Sequence, residues 1–146
     1  MNTMTINFQS DNVVMPALDY AKLQQWIAAV TKSYGLHVGA ITYIFCNDDK
    51  ILEVNRQFLQ HDYYTDIITF DDTVGRTIQG DIFISLDTVA SNAQQQQTDF
   101  QEELHRVIIH GVLHLCGIND KGPGERAIME AAENKALTLL SHIFEL

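Results

Sequence analysis

His110 and His114, in the run His110-Gly111-Val112-Leu113-His114-Leu115-Cys116-Gly117, are the residues of this chain best placed to do chemistry. On a helix, side chains four apart stand one turn above each other on the same face. Two imidazoles so placed can both reach one metal ion at about 2.0–2.1 Å. Gly117 reads as the helix stop, because a glycine just past a helix end takes the left-handed conformation that reverses the chain. Asp120 follows three residues later, and the reversal carries its carboxylate back towards the imidazoles. The expected product is a His110, His114, Asp120 site with one coordination position open, the pattern of a catalytic rather than a structural zinc. The same spacing also fits an ordinary half-buried histidine pair or a solvent-facing one. Two features favour the metal. Ile108, Ile109, Val112, Leu113 and Leu115 make the helix apolar, where unpaired imidazoles are costly to desolvate. A carboxylate also follows the helix stop at once.

This metal helix is predicted over about residues 99–116, and the remaining elements must position it. Residues 4–8 are β-branched or aromatic and read as an edge strand. Asp19 suits an N-cap for a helix over 20–34, with Leu23, Trp26, Ile27 and Val30 at helical spacing and Gly35 as its stop. Residues 37–46 are rich in Val, Ile, Tyr and Phe and read as a central strand. Asp48 opens a second helix presenting Ile51, Leu52, Val54, Asn55 and Phe58. Strands follow over 65–70 and 76–85, joined by a short acidic turn at 70–75. In the second of them Ile78, Ile82 and Ile84 share one face and Phe83 the other. Helical patterns return over 86–96, with the run Gln94-Gln95-Gln96-Gln97 at its end, and over 124–143. No linker or repeat interrupts the chain, so residues 1–146 read as a single domain, and the lack of a regular βαβ rhythm favours an α+β fold.

With 146 residues, 46% of them apolar, the chain can bury a real core. No apolar stretch approaches the ~20 residues needed to cross a bilayer, so no membrane role is expected. Residues 1–8 carry no positive charge and no long apolar run, and do not read as a secretory signal. Cys46 and Cys116 lie in apolar surroundings and read as buried free thiols. Cys116 faces a different direction from His114 and is set aside as a ligand. These features point to a cytoplasmic location. The formal net charge of -10 argues against binding nucleic acid by overall attraction. The nine Lys and Arg residues are scattered and nowhere interleave with aromatics, which leaves only a local basic groove open.

Three blocks, in order, carry a resemblance to a known family. They are Tyr64-Thr65-Asp66-Ile67-Ile68-Thr69-Phe70, Gly80-Asp81-Ile82-Phe83-Ile84-Ser85, and the run from His110 to Gly117 continuing to Asp120. Met129, Glu130 and Glu133 fit the final helix of the same pattern. Over nearly its whole length the chain resembles the YbeY family of metal-dependent endoribonucleases. The resemblance implies an α+β fold with a small mixed β-sheet beside helices and a zincin-like placement of the metal helix. It implies one zinc ion per chain, held by His110, His114 and Asp120. It implies a single-strand-specific endoribonuclease acting in small-subunit ribosomal RNA 3′-end maturation and ribosome quality control. Ribosomal RNA, with small-subunit ribosomal proteins or a GTPase, would be its partners. The sequence departs from the family pattern twice. Asp120 stands where the family usually has a histidine; an oxygen ligand still suits zinc, with one more negative charge, and leaves other divalent metals such as manganese open. Leu59 stands where the family commonly has an arginine assigned to phosphate binding, so that role is either lost or carried by Arg56 or His61.

A zinc with three protein ligands lowers the pKa of a water in the open position towards ~7, which supplies a hydroxide able to attack a phosphodiester. A zinc peptidase of the H-E-x-x-H type would need a glutamate after the first histidine, and Gly111 occupies that place, leaving space expected to face the metal. A further alternative is a non-catalytic assembly factor with a structural zinc; a closed fourth position would mark it. Asp81 and Glu125 are candidates for a base or substrate contact, though Asp81 after Gly80 also suits a turn and Glu125 suits the first turn of the last helix. Asp66 reads as a structural group at a strand start, and His105 and His142 as surface or interface residues. The substrate groove is expected between the 65–70 and 80–85 strands and the second helix. Some of Arg56, Arg76, Lys121 and Arg126 should border it, with carboxylates gathered on the opposite face.

Overall fold

The strands are β1 (Thr5–Ser10), β2 (His37–Cys46), β3 (Ile67–Asp71) and β4 (Thr77–Ser85), in a computed structural model that describes residues 4–59 and 65–143. His61 and Asp62 lie outside the described residues. β1 pairs parallel with β2, β2 parallel with β4, and β3 antiparallel with β4, in the spatial order β1-β2-β4-β3. The helices are α1 (Tyr20–Ser33), α2 (Asp48–Val54), α3 (Leu86–Gln96), α4 (Phe100–Leu115) and α5 (Glu125–Ile143). A small mixed sheet with helices is the α+β architecture that the hydrophobic pattern predicts. β1 is an edge strand and β2 an interior one, as their compositions suggest.

Alternation along the strands sorts side chains between two cores. Ile78, Ile82 and Ile84 are fully buried with Leu23, Trp26 and Ile27 of α1 and Leu104, Ile108 and Val112 of α4. Each such side chain contributes about 1.5–3 kcal/mol of transfer free energy. The other face carries a smaller cluster of Cys46, Ile51, Val54 and Ile68, backed by Phe70 and Phe83. Two buried polar groups fix the helices against this frame. Tyr43 Oη donates to the Ile108 carbonyl at 2.8 Å, which ties α4 to β2. Trp26 Nε1 donates to the Ala136 carbonyl at 2.7 Å, which ties α5 to α1.

Gly111 is where α4 settles on the sheet. A Cβ there would stand 3.0 Å from Ile82 Cδ1 and 3.1 Å from Ile67 Cδ1. The space that the sequence suggests beside a metal is therefore filled by β3 and β4. The physical reason is that each helical residue is turned about 100° from the one before it, so the position after a groove-facing His110 looks into the core. Gly80 meets a different constraint. Its φ is +155°, and a Cβ would lie 2.1 Å from the Phe70 carbonyl oxygen. Gly80 and Asp81 are mid-strand residues paired with Asp71 and Phe70, not the turn that Gly80-Asp81 suggests. Phe58 also departs from expectation. A π-helical turn, Asn55–Leu59, follows α2 and shifts the phase of later side chains. Phe58 is thus exposed, with its ring edge-on to Phe70 at 5.8 Å.

Candidate metal centre

The site begins with the end of α4. Gly117 has φ +97°; its N–H donates to the His114 carbonyl at 2.9 Å, and the Ile118 N–H donates to the Leu113 carbonyl at 3.0 Å. This paired closure is the Schellman form of a glycine-terminated helix. It turns the chain so that residue 120 returns beneath the helix face bearing the histidines. The rings of His110 and His114 lie 4.9 Å apart at 80°. Asp120 Oδ2 is 3.3 Å from His110 Nε2, and Asp120 Oδ1 is 3.5 Å from His114 Nε2. One ligand-type atom from each of the three residues can be chosen so that all lie within 4.8 Å of one another.

These residues fit a divalent ion. Ligand atoms about 2.0–2.1 Å from a tetrahedral centre lie about 3.3–3.4 Å apart, close to the two measured separations. Asp120 Oδ1 is buried and has no hydrogen-bond partner among the described residues. A desolvated carboxylate oxygen without a donor is unfavourable, and a cation between it and the two imidazoles satisfies it. Two nitrogen donors and one hard oxygen suit zinc and leave harder divalent ions possible.

Glu133, from the middle of α5, closes the back of the site. Its Oε2 is 2.7 Å from His110 Nδ1. Its Oε1 accepts from Arg106 Nη1 at 2.8 Å, and Arg106 Nη2 donates to Asn134 Oδ1 at 2.8 Å. In the sequence Glu133 stands on the last helix without an assigned role. Its signal was position: Met129, Glu133, Ala136 and Leu140 form the buried stripe of α5, and a carboxylate on an apolar stripe needs a partner. The site's ionisation follows from these contacts. Burial opposes charge on His110, but Glu133, Asp120 and Asp66 outweigh it and raise the imidazole above its ordinary value. Burial and the neighbouring His110 hold His114 below it. Burial works against the Glu133 carboxylate, yet the bonds from His110 and Arg106 bring it below the usual carboxylate range.

A groove of about 1080 Å³ opens over the three candidate ligands. Its walls are β3, the Asn55–Leu59 turn, the end of α3, the groove side of α4, the loop after it, and the start of α5. β4 does not line it: behind Gly111, that strand is covered by α4. Lys121 and Arg126 border the groove as expected, but the carboxylates are not on the opposite face. Among the described residues, Asp66, Asp71, Glu102, Glu103, Asp120, Glu125, Glu130 and Glu133 line the groove, eight carboxylates against the three cations Arg106, Lys121 and Arg126. Carboxylates thus gather at the site instead of opposite it. Local sequence cannot foresee this, because the acids come from β3 and the residue before it, α4, the loop after α4, and α5. Arg56 is exposed on the Asn55–Leu59 turn and, like Arg76, is not among the groove's lining residues. Leu59 does line it. Asp81 lies on the other sheet face, in a smaller depression with Thr42 and Phe70, so as a base or substrate contact it is misplaced for this groove. Glu125 Oε1 accepts the Gly122 N–H at 2.6 Å and braces the loop before α5. Asp66 Oδ2 accepts from Asn92 Nδ2 at 3.3 Å, and burial raises its carboxyl above the ordinary range. Cys116 is half-buried and free, its thiol pushed up to about 11 by burial. His105 is partly buried, edge-on to Trp26.

Two imidazoles and a carboxylate under an open groove, on a mixed-sheet scaffold, define an α+β protein with a candidate three-residue metal centre. The family model described as Endoribonuclease YbeY matches residues 5–141, and the chain belongs to the YbeY family. Endoribonuclease YbeY of Phocaeicola vulgatus is 66% identical over 136 residues, covering 93% of this chain and 99% of the relative. That of Parabacteroides distasonis is 62% identical over 137 residues, covering 94% and 96%. The solution structure of TM1509 from Thermotoga maritima matches with a TM-score of 0.64 at 26% identity, over 94% of this chain and 90% of that one. The family resemblance carried by the three sequence blocks and the α+β fold are thereby borne out. Among the described residues, no helix is long and apolar enough to cross a membrane.

Proposed function

We propose that this chain is a metal-dependent endoribonuclease cutting single-stranded RNA, with zinc held by His110, His114 and Asp120. Its place would be the cytoplasm, in small-subunit ribosomal RNA 3′-end maturation and ribosome quality control, beside small-subunit ribosomal proteins or a GTPase. The observation that carries the reading is the Asp120 carboxylate in an open groove, with Oδ2 against His110 and the buried Oδ1, which has no hydrogen-bond partner among the described residues, against His114, in a chain of the YbeY family. When bound, the ion supplies Lewis acidity to a phosphoryl oxygen and acidifies water towards a pKa of ~7. The chain's own residues bind and orient. Lys121 and Arg126, which line the groove, would take phosphates of the bound strand. Leu59 contributes an apolar wall in place of a cation. Asp66 and Glu103 both line the groove, and burial raises both carboxyls, so either could carry a proton there.

The peptidase alternative loses its ground, because Gly111 faces Ile67 and Ile82 and offers no place for a general base. The structural-zinc alternative would need the groove side of the site to be closed by a fourth ligand. The direct test is metal analysis of the purified chain together with cleavage of single-stranded and duplex RNA, with and without a chelator. Chelator-sensitive cutting confined to the single strand is the expected result. Bound zinc with no RNA cleavage would favour the assembly-factor reading.

The acidic groove predicts weak RNA binding with few phosphate contacts. Lys121→Ala and Arg126→Ala should each weaken binding of a labelled single strand and each lower the slope of log affinity against log salt by about 0.7. Titrations at several salt concentrations check this. Unchanged slopes in both variants would place the phosphate contacts elsewhere.

A further inference from the structure

We propose that Glu133 and Arg106 act as a positioning pair that fixes the tautomer of His110, keeping its Nε2 lone pair aimed at Asp120 and the metal position. The proposal rests on the reading of His110 as a metal ligand, and its first test does not need the metal. The geometry carries it. Glu133 Oε2 stands 2.7 Å from His110 Nδ1, and an ionised carboxylate only accepts. The proton of a neutral His110 therefore sits on Nδ1, and Nε2 is left as the unprotonated nitrogen, 3.3 Å from Asp120 Oδ2. Histidine ligands in metal sites are oriented in this way by a carboxylate on the far ring nitrogen.

Arg106 gives the arrangement its direction. It lies one turn before His110 on α4, and its Nη1 holds the other Glu133 oxygen at 2.8 Å. Its Nη2 is held in turn by Asn134 Oδ1 at 2.8 Å. A guanidinium has donors only, so whatever atom faces Arg106 must be an acceptor. A carboxylate satisfies Arg106 and His110 at once, because both of its oxygens accept. A glutamine in its place cannot. Its single oxygen would be drawn to Arg106, and its NH₂ would then donate to His110 Nδ1. The imidazole proton would move to Nε2, where it blocks the metal position.

The test uses the full chain. Histidine-labelled NMR on metal-free wild type, above the titration range of His110, should show the Nδ1–H tautomer. A wild-type Nε2–H tautomer overturns the proposal by itself, whatever any variant does. Glu133→Gln should switch His110 to Nε2–H and weaken zinc binding, read by competition with a chromogenic chelator, by roughly 10–100-fold. Adding Arg106→Met to Glu133→Gln should let the amide turn its oxygen to His110, restoring Nδ1–H and part of the lost affinity. A purely structural role predicts the opposite, with the double variant weaker than the single. A Glu133→Gln chain that keeps the wild-type tautomer, or binds zinc within about twofold of wild type, sinks the proposal. A wild-type chain that takes up no zinc while showing Nδ1–H would instead overturn the functional reading and leave the positioning pair standing.

Discussion

Asp120→Ala is expected to cut zinc affinity by more than about 100-fold and to abolish measurable RNA cleavage. Losing a partner that only orients a ligand costs about 10–100-fold; Asp120 is one of three residues offering ligand atoms themselves. The fold should survive. Asp120 lies in the loop between α4 and α5, and among the described residues its Oδ1 has no hydrogen-bond partner to lose. Removing the carboxylate relieves a desolvation cost of roughly 1–3 kcal/mol but also loses its attraction to His110 and His114, so the metal-free variant should unfold close to the denaturant concentration of metal-free wild type. Asp120→His supplies a nitrogen ligand with no charge and should retain zinc. Metal analysis, RNA cleavage and denaturant unfolding on the three proteins decide the matter. An Asp120→Ala chain holding one zinc with wild-type affinity would remove Asp120 from the site.

Gly111→Glu, which writes H-E-x-x-H into α4, is expected to yield an unstable protein and no peptidase. The new carboxylate would point at Ile67 and Ile82 and away from the metal position. It would be both oversized and without a partner in an apolar contact. Those mechanisms together belong to the exceptional class of substitutions costing more than about 4 kcal/mol. Gly111→Ala separates the effects. A helix gains up to ~1 kcal/mol from the exchange, while crowding at 3.0–3.2 Å acts against it at about 1–3 kcal/mol, so a small net loss is expected. Denaturant midpoints measure both variants. A Gly111→Glu protein within about 1 kcal/mol of wild type would mean that α4 does not lie on the sheet at Gly111.

The residues that converge on the candidate metal centre were legible because their geometry is local. His110 and His114 share a face through helical periodicity alone, and Gly117 with the Ile118 N–H closes the helix through bonds spanning at most five residues. Asp120 follows within the same short loop. Strand faces were legible for a similar reason: alternation at period two sends Ile78, Ile82 and Ile84 one way and Phe83 the other. Residues whose roles depend on a distant partner were not. Glu133 meets His110 across 23 positions of sequence, and only the packing of α5 on α4 brings them together. Gly111 read as room beside the metal, because the spacing that aligns 110 with 114 says nothing about what lies behind the helix. Asp81 after Gly80 suits a turn locally, and only its pairing with Phe70 of β3 makes it a strand residue. The groove's charge is the furthest from reach, since its carboxylates come from β3 and the residue before it, α4, α5 and the loop before α5. Local periodicity and capping act within one turn of the chain, so sequence alone determined the elements and the two-histidine face. Which elements pack together, and which side chains therefore meet across them, is set by burial summed over the whole domain, and only the tertiary structure decided it.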